Sequence, residues 1–220
     1  MGLYESVMLE HQDSWRWDVR TKLTILVWAV VLTLAFAGSA NCCVGRVLTV
    51  AVTNSPDQLI MGKVLSLLIN ERTGTTVELL KTTDLKASQD TVLNEKANMF
   101  INYIGFGMQV SGNGTETVDS QRAYTLVRQH YLDNFQMVWL KPFGYQGPVS
   151  LEIPTNPAVT SMAAPVTTKE VLRKFPVLDR VINKLAGKIN DKILADLTEK
   201  SKTQDVEDVA RDFLKSQKLI

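Results

Sequence analysis

Cysteine and histidine are scarce in this chain of 220 residues. There are two of each, and the two cysteines, Cys42 and Cys43, are adjacent. Neighbouring cysteines close to the N-terminus offer no disulfide framework for the remainder, so the globular part must depend on its apolar core. Since His11 also lies near the N-terminus, a histidine triad or a multi-histidine metal site would have to rely on His130 alone.

Motifs that bind nucleotides or carry a nucleophile are absent as well. The sequence has no phosphate-binding loop with its lysine, no G-x-S-x-G elbow and no paired C-x-x-C. Its formal net charge is +1, and no basic stripe of the kind that binds nucleic acid is visible. We therefore predict a protein that is not an enzyme, binds no nucleic acid and needs no metal or cofactor.

An apolar segment near the N-terminus is the first feature that is present. Leu23 to Ala37 contains fifteen residues without a charge, preceded by Arg16, Arg20 and Lys22. A basic flank, an apolar centre and small residues behind it are typical of an export signal. We predict that residues 1–43 direct the chain out of the cytoplasm, to a periplasmic or other extracytoplasmic location.

Two alternatives to a cleaved signal stay open for this segment. The charge-free run extends to Gly45, long enough for an uncleaved anchor in the inner membrane. Lipidation of Cys42 or Cys43 is the third interpretation, although Asn41 is a poor residue immediately before a lipidated cysteine. All three place the bulk of the chain outside the cytoplasm.

The segment after this leader predicts a buried strand followed by a helix. Val47 to Val52 is almost wholly apolar, rich in β-branched residues and without alternation, as in a strand covered on both faces. Ser55 then supplies an N-cap, Pro56 the first helical position and Gln58 a capping-box partner. Gly74 is expected to end the helix in a left-handed conformation.

The rest of the chain alternates strands and helices. Strands separated by helices of this length most often run parallel with right-handed crossovers, so we predict an α/β fold whose mainly parallel sheet is flanked by helices. The predicted strands lie at 75–81, 99–104, 136–140 and near 159–164, the helices at 88–98 and 120–133, and further helices follow Thr167, Pro176, Asn190 and Asp205.

The turn from the first strand into the first helix is a candidate ligand site. Asn54 and Ser55 precede the helix, whose free N–H groups and positive dipole end lie at the carboxyl edge of the sheet. Open α/β sheets usually bind their ligands at this edge. The alternative is an ordinary crossover that binds nothing.

Aromatic residues are concentrated in one part of the chain. Aromatic faces attract quaternary ammonium groups by cation–π contacts of about 0.5 to 2 kcal/mol each, so three or four together would make a cage. The alternative is that these rings pack in the core and in turns. The forty-three residues from 103 to 145 include Tyr103, Phe106, Tyr124, Tyr131, Trp139, Phe143 and Tyr145.

Several short motifs, in this order, resemble the substrate-binding proteins of osmoprotectant ABC importers, which bind glycine betaine or choline. The motif Val138 to Tyr145 is similar to the Trp-Leu-x-Pro-x-Gly-aromatic segment of that family. The other matching motifs are Gln58–Gly62, Thr73–Gly74, Asn102–Gly105, Ala163–Val166, Phe175–Leu178, Asn183–Leu185 and Asp208–Leu214.

The resemblance implies a periplasmic-binding-protein-like lobe and a cleft that closes on a quaternary ammonium solute. It implies that Tyr103 is the best cage candidate, and that Asn54 and Ser55 belong to a loop facing the cleft, where helix N–H groups could hold a betaine carboxylate. The predicted ligand-binding residues are Asn54, Ser55, Tyr103, Phe106, Trp139 and Tyr145.

The chain departs from the family in the length of its second lobe. Only seventeen residues separate Tyr145 from Ala163, where family members have most of that lobe, and Asn102 stands where an acidic residue is common. We predict one domain over 44–220, with 46–107 and 159–220 as the main lobe and 108–158 as a reduced second lobe or crossover.

Two functions follow from the resemblance and its departures. The first is a solute-binding component that delivers a betaine-like cation to an ABC permease in the membrane, with self-association as a homo-oligomer as one way to complete the cleft. The second is a single-lobe exported accessory or interaction protein that no longer binds solute, because a small-molecule site needs enclosure on both sides.

Overall fold

Five strands form one sheet in the computed structural model, which describes residues 47–112, 119–147 and 161–220. The strand order is β2-β1-β3-β5-β4. β1 pairs in parallel with β2 and β3, whereas β5 is antiparallel to both β3 and β4. Four of the five strands therefore share one direction, and the predicted mainly parallel sheet is confirmed. The strands are β1 Val47–Thr53, β2 Thr76–Thr82, β3 Met99–Tyr103, β4 Met137–Trp139 and β5 Ala163–Thr168.

Eight α-helices connect and cover these strands within the described residues. None of those helices combines the length and the apolar character needed to cross a bilayer. The predicted leader, residues 1–43, lies outside the described part of the chain. The helices are α1 Pro56–Thr73, α2 Leu85–Leu93, α3 Ile104–Val110, α4 Ser120–Phe135, α5 Lys169–Lys174, α6 Leu178–Ile182, α7 Asp191–Lys200 and α8 Val206–Ser216, with a 3₁₀ turn at Asn183–Leu185.

Local capping chemistry sets the ends of the helices. The Ser55 hydroxyl accepts a hydrogen bond from the Gln58 N–H at 3.4 Å, and Pro56 occupies the first position of α1. Gly74 ends α1 with φ of 68°. Asn190 and Asp205 cap α7 and α8 as predicted. These positions were readable from the sequence because each cap involves only neighbouring residues.

Several predicted boundaries were wrong near the sheet. The helix predicted at 88–98 is α2 at Leu85–Leu93, and the strand predicted near 159–164 is β5 at Ala163–Thr168. The third strand ends at Tyr103, and Ile104 begins α3 instead of closing the strand. The N-cap of α5 is Thr168, which accepts from the Val171 N–H at 3.2 Å, and not Thr167. Thr167 is buried in β5, and its hydroxyl donates to the Asn98 carbonyl at 2.8 Å. The strand extends to Thr168 because Thr168 pairs with Met137 of β4, a partner that the local sequence does not reveal.

The sheet separates two apolar cores. One face is covered by α1 together with α5 to α8, and the other by α2, α3 and α4. Successive side chains along a strand point to opposite faces. Leu48, Val50 and Val52 therefore pack under α1, whereas Ala51 faces the other core. The same alternation sends Tyr103 of β3 to the α1 face.

Helix α4 and strand β4 lie inside the range 108–158, which the sequence assigned to a reduced second lobe or crossover. β4 pairs with β5, with Met137 opposite Thr168 and Trp139 opposite Val166. The core of the second face includes Val127 and Tyr131 of α4. These two elements therefore belong to the sheet layer of the main lobe. The local sequence does not reveal this arrangement, because the pairing partner of β4 comes later in the chain.

Candidate functional site

The direction of the chain reverses beside β1. From β1 the chain passes through α1 on one face to β2, and from β2 it passes through α2, which contributes Val92 to the other face, to β3. Open α/β sheets bind their ligands at such a switch point, in a crevice outside the carboxyl ends of the two strands. In this structure the buried side chains of Gln58, Tyr103 and Tyr145 lie there. We use the name carboxyl-edge site for the residues around this crevice, namely Ser55, Asp57, Gln58, Tyr103, Tyr145 and Ser161.

Gln58 connects the two strands at the crevice. Its Oε1 accepts a hydrogen bond from the Thr53 N–H at 3.2 Å, and its Nε2 donates to the Ile101 carbonyl at 3.1 Å. The backbone register between β1 and β3 covers only Val50–Met99 and Ala51–Phe100. The buried carboxamide therefore takes the place of a peptide group where backbone pairing stops. It does not reach back to Ser55 as a capping-box partner would.

Tyr103 lies at the end of β3 and has 0% of its surface exposed. A Cβ on Gly147 would come within 2.6 Å of Tyr103 Cδ1, so the backbone of Gly147 packs directly on the ring. Burial raises the pKa of Tyr103 to about 12, an effect that the nearby side chains of Gln58 and Tyr145 partly offset. The hydroxyl therefore lies near these two side chains, but it makes no hydrogen bond of standard geometry with any residue that the structure describes.

Tyr145 and Ser161 lie beside Tyr103. The Tyr145 carbonyl accepts from the N–H of Ala163, the residue that pairs with Tyr103 in the sheet, at 3.1 Å. The Gly147 N–H donates to the Ser161 carbonyl at 2.8 Å. Both the Tyr145 hydroxyl and Ser161 Oγ are buried and, among the described residues, have no hydrogen-bond partner. Three buried hydroxyls are thus unsatisfied at one edge of the sheet.

Asp57 supplies negative charge to the carboxyl-edge site. Its carboxylate accepts from the Thr198 hydroxyl at 3.3 Å, and it forms no ion pair with a described lysine or arginine. Burial is the main cause of the raised pKa values of Tyr103 and Tyr145, and the Asp57 charge raises both further. An acidic residue in the first turn of a helix also stabilises the helix dipole, so Asp57 has a structural role as well.

Three of the four other predicted site residues lie on the α1 side of the sheet, apart from these hydroxyls or in other roles. Ser55 caps α1, and Asn54 is exposed at the turn before it. Phe106 is half-buried and packs against the α1-side core. Ser55 is close to the crevice through its cap, but among the described residues no hydrogen bond joins Asn54 or Phe106 to the buried hydroxyls.

Trp139 lies on the opposite face of the sheet from Tyr103 and Tyr145. It is 1% exposed and packs edge-to-face on Tyr131, with ring centroids 5.3 Å apart. Trp139 therefore cannot share a cage with Tyr103, although the sequence analysis placed both among the ligand-binding residues. The sequence placed these rings near each other along the chain, but the pairing of β4 with β5 sends Trp139 to the core under α4.

The sequence interpretation missed two residues of the site and the main role of a third. Asp57 was not singled out, and Gln58 was assigned to a cap although it joins the two strands. Ser161 gave no signal, because it reaches the crevice only through its pairing with Gly147. A glutamine directly after a strand-to-helix turn at a switch point was the one available hint for Gln58.

The unsatisfied hydroxyl of Tyr103 predicts an unusual stability effect. Tyr103→Phe is expected to leave the free energy of unfolding unchanged or to raise it by up to about 1 kcal/mol, because it removes an unpaired buried polar group. The matched control is Tyr131→Phe, expected to cost about 1 to 3 kcal/mol. The Tyr131 hydroxyl donates to Gln89 at 2.7 Å and accepts from Asn102 at 3.4 Å. Urea denaturation of both variants tests this contrast, and equal losses would contradict it.

Comparison with known proteins identifies the architecture. No protein-family model and no curated protein matches the chain. Among solved structures, a glycine betaine/carnitine/choline ABC transporter protein aligns with a TM-score of 0.69 at 15% identity, covering 80% of this chain and 99% of that one. Apo YehZ from Escherichia coli aligns at 0.65 and 11% identity, covering 79% and 99%.

The fold is that of a periplasmic-binding-protein-like lobe. Identities this low show the fold alone, and they carry no information on which solute is bound. The first of the two neighbours is a transport protein by its description, and neither is described as an enzyme. The sequence-based prediction of a mainly parallel α/β lobe flanked by helices is therefore confirmed.

Proposed function

We propose that this chain is the extracytoplasmic solute-binding component of an ABC importer for glycine betaine or a related quaternary ammonium osmoprotectant. The observation that carries the proposal is the set of unsatisfied hydroxyls of Tyr103, Tyr145 and Ser161 at the switch point. The fold supports the same function, and so does the similarity to a glycine betaine/carnitine/choline ABC transporter protein.

Unsatisfied hydroxyls are informative because proteins seldom keep them. A buried polar group without a partner costs about 1 to 3 kcal/mol, and the large majority of buried polar atoms are hydrogen-bonded. Among the described residues Trp139 Nε1 is also unsatisfied, on the opposite face, so it is the clustering of three such groups at one edge that a bound solute would explain. In the structure they are shielded from solvent, so the protein around them must open before a solute can bind.

Delivery of the solute requires further partners. The proposal includes docking on an ABC permease in the membrane and a leader in residues 1–43 that exports or anchors the chain. It also includes a reduced second lobe in the part of 108–158 that lies outside α4 and β4, and a second copy of the chain that encloses the solute from the other side. Enclosure is needed because a small-molecule site buries most of its ligand.

Calorimetry on the full chain with glycine betaine, choline and proline betaine tests the proposal. We expect a dissociation constant below about 1 mM for at least one of them. Tyr103→Phe should weaken that binding about tenfold, since it removes one hydrogen bond to a charged solute. Tyr124→Phe is the control, because its hydroxyl donates to the Leu140 carbonyl at 3.1 Å, away from the crevice. No heat from any of the three solutes would refute the proposal.

A second candidate is an exported accessory or interaction protein of the same fold that binds no solute. The observation that favours it is the complete burial of the Tyr103, Trp139 and Tyr145 rings, which leaves no aromatic face open. This candidate predicts no calorimetric heat with the three solutes. Micromolar binding that Tyr103→Phe weakens would exclude it.

A further inference from the structure

A row of exposed cations lies over the connection between α5 and α6. The two short helices follow one another through one tight turn, since the Phe175 carbonyl accepts from the Leu178 N–H and the Val177 carbonyl from the Val181 N–H, both at 3.0 Å. We use the name basic stripe for the exposed cations of this run and of the segment after β4, namely Lys141, Arg173, Lys174, Arg180 and Lys184.

Helical spacing keeps the basic stripe on the outer surface. Arg180 and Lys184 are four residues apart, so they project from the same side of consecutive turns. Lys141 joins them from a segment 42 residues away from Asn183, because its N–H donates to the Asn183 side chain at 3.0 Å. The inner side of the same turns packs in the α1-side core through Leu178, Val181, Ile182 and Leu185.

Few carboxylates offset the charge of this surface. Glu170 pairs with Lys174 at 2.7 Å, and Asp179 accepts a hydrogen bond from the Arg180 N–H at 2.6 Å. The basic stripe thus holds five cations against two carboxylates, although the formal net charge of the whole chain is only +1. The cations that form no ion pair with any carboxylate of the described residues are Lys141, Arg173, Arg180 and Lys184.

The helix dipole accounts for little of this arrangement. Arg173, Lys174 and Arg180 lie in the last turns of their helices, where a cation is favourable. The two helices have only six and five residues, however, and Lys141 belongs to no helix. A function for the charge itself is the simpler explanation.

An aliphatic side chain lies in the middle of the stripe. Val177 is 41% exposed, and the neighbouring Pro176 is exposed as well. Apolar residues surrounded by Lys and Arg are typical of surfaces that lie against anionic lipid headgroups. Three of the five cations are lysines, whose flexible point charges suit a fluid array of phosphates, whereas a fixed carboxylate partner favours the planar fork of arginine.

The N-terminal apolar segment indicates the same environment. Leu23 to Gly45 carries no charge, so we expect this segment to bring the chain to a bilayer, as a signal or as an anchor. A polybasic patch is a common second contact in proteins that have a single membrane attachment. An anionic lipid surface therefore fits both the charge and the exposed valine of the stripe.

We propose that the basic stripe binds this lobe to an anionic lipid surface, with its lysine and arginine side chains on the headgroup phosphates and Val177 at the level of the headgroups. The inference goes beyond the proposed solute-binding function and does not depend on which solute is bound. It gives the lobe an orientation in which the side formed by α5 and α6 faces the bilayer.

Co-sedimentation of the full chain with lipid vesicles tests the proposal. We expect tighter binding to vesicles with about 30% phosphatidylglycerol than to vesicles of phosphatidylcholine alone. The triple variant Arg173→Gln, Arg180→Gln and Lys184→Gln should bind the anionic vesicles about ten- to a hundredfold more weakly, since each cation near such a surface contributes about a fivefold factor. Raising the salt from about 50 to about 500 mM should remove most of this difference, because salt screens the attraction.

A second triple variant is the matched control. Lys96→Gln, Arg122→Gln and Arg128→Gln remove one lysine and two arginines, as the stripe variant does, from exposed positions near α2 and on α4. These helices cover the opposite face of the sheet. The control should bind the anionic vesicles within about twofold of the unsubstituted chain. Residues 1–43 are the same in all three proteins, so their contribution to binding cancels in the comparison.

Val177→Asp examines the centre of the stripe. It should weaken binding to the anionic vesicles by about fivefold, because it places a negative charge among the cations. Leu93→Asp is its control, since Leu93 is an equally exposed aliphatic residue, at 40%, on α2 at the other face of the sheet. Leu93→Asp should change binding by less than about twofold. Unchanged binding of Val177→Asp would remove Val177 from the lipid contact.

Two results would overturn the proposal. Equal losses in the two triple variants would mean that total charge, and not the basic stripe, governs binding. Equal binding of the unsubstituted chain and the stripe variant would show that the stripe makes no lipid contact, and would leave an acidic protein surface as the partner that it fits. Neither result bears on the solute-binding function, which calorimetry tests separately.

Discussion

Trp139→Ala is expected to lower the free energy of unfolding by about 3 to 5 kcal/mol, the range for removing a buried Trp or Phe side chain. Trp139 is 1% exposed and is among the largest fully buried side chains of the described residues. Its ring packs on Tyr131, and a Cβ on Gly107 would collide with Val127 and lie 3.0 Å from Trp139 Cζ2. Helix α3 and the tryptophan therefore fit closely, and the cavity left by alanine would not close. Urea denaturation monitored by circular dichroism measures the loss.

Trp139→Phe is the companion variant for this position. It keeps an aromatic ring against Tyr131 and should cost less than half as much as alanine, since a smaller cavity is left. Neither variant should change solute affinity in protein that remains folded, because the sheet separates Trp139 from the carboxyl-edge site. Loss of solute binding with unchanged stability would instead return Trp139 to the ligand site, as the sequence alone predicted.

Gln58→Leu is expected to lower the free energy of unfolding by about 2 to 5 kcal/mol. Leucine fits a similar volume but leaves two buried backbone groups, the Thr53 N–H and the Ile101 carbonyl, without the partners that Gln58 provides. Each buried unpaired group costs about 1 to 3 kcal/mol. Because the carboxamide joins β1 to β3, we also expect faster amide hydrogen exchange at Thr53.

Gln129→Leu is the matched control for Gln58→Leu. Gln129 lies on the exposed side of α4, where its side chain donates to Asp133 at 2.8 Å. The same substitution there should change the free energy of unfolding by less than about 0.5 kcal/mol, as is usual for surface positions. A loss below about 1 kcal/mol for Gln58→Leu would mean that β1 and β3 are held together at this edge without the carboxamide.

Gln58 and Trp139 show what a local sequence pattern predicts and what it leaves open. Both Gln58 and Trp139 were recognised as notable residues, one as a capping partner and one as a cage residue. Their actual roles depend on strands that are distant in sequence, since Gln58 reaches Ile101 and Trp139 lies opposite Val166. A local pattern identifies a residue type that can make a contact, but it does not specify the partner.

The strands and helices themselves were largely determined by sequence. The apolar run at β1, the cap at Ser55, the proline at the start of α1 and the glycine at its end act over a few residues. Each of these signals is carried by residues close together in sequence, so the first strand and helix were predictable. The same holds for the caps at Asn190 and Asp205.

Only the tertiary structure decided which face of the sheet each side chain occupies and which polar groups remain unpaired. The antiparallel pairing of β5 with β3 and β4 brings Ser161 beside Tyr145 and separates Trp139 from Tyr103. Strand register has a period of two, so the pairing partner fixes the face of every side chain at once. The sequence alone therefore determined a mainly parallel α/β lobe, while long-range strand pairing decided which polar and aromatic side chains lie together at the carboxyl ends of β1 and β3.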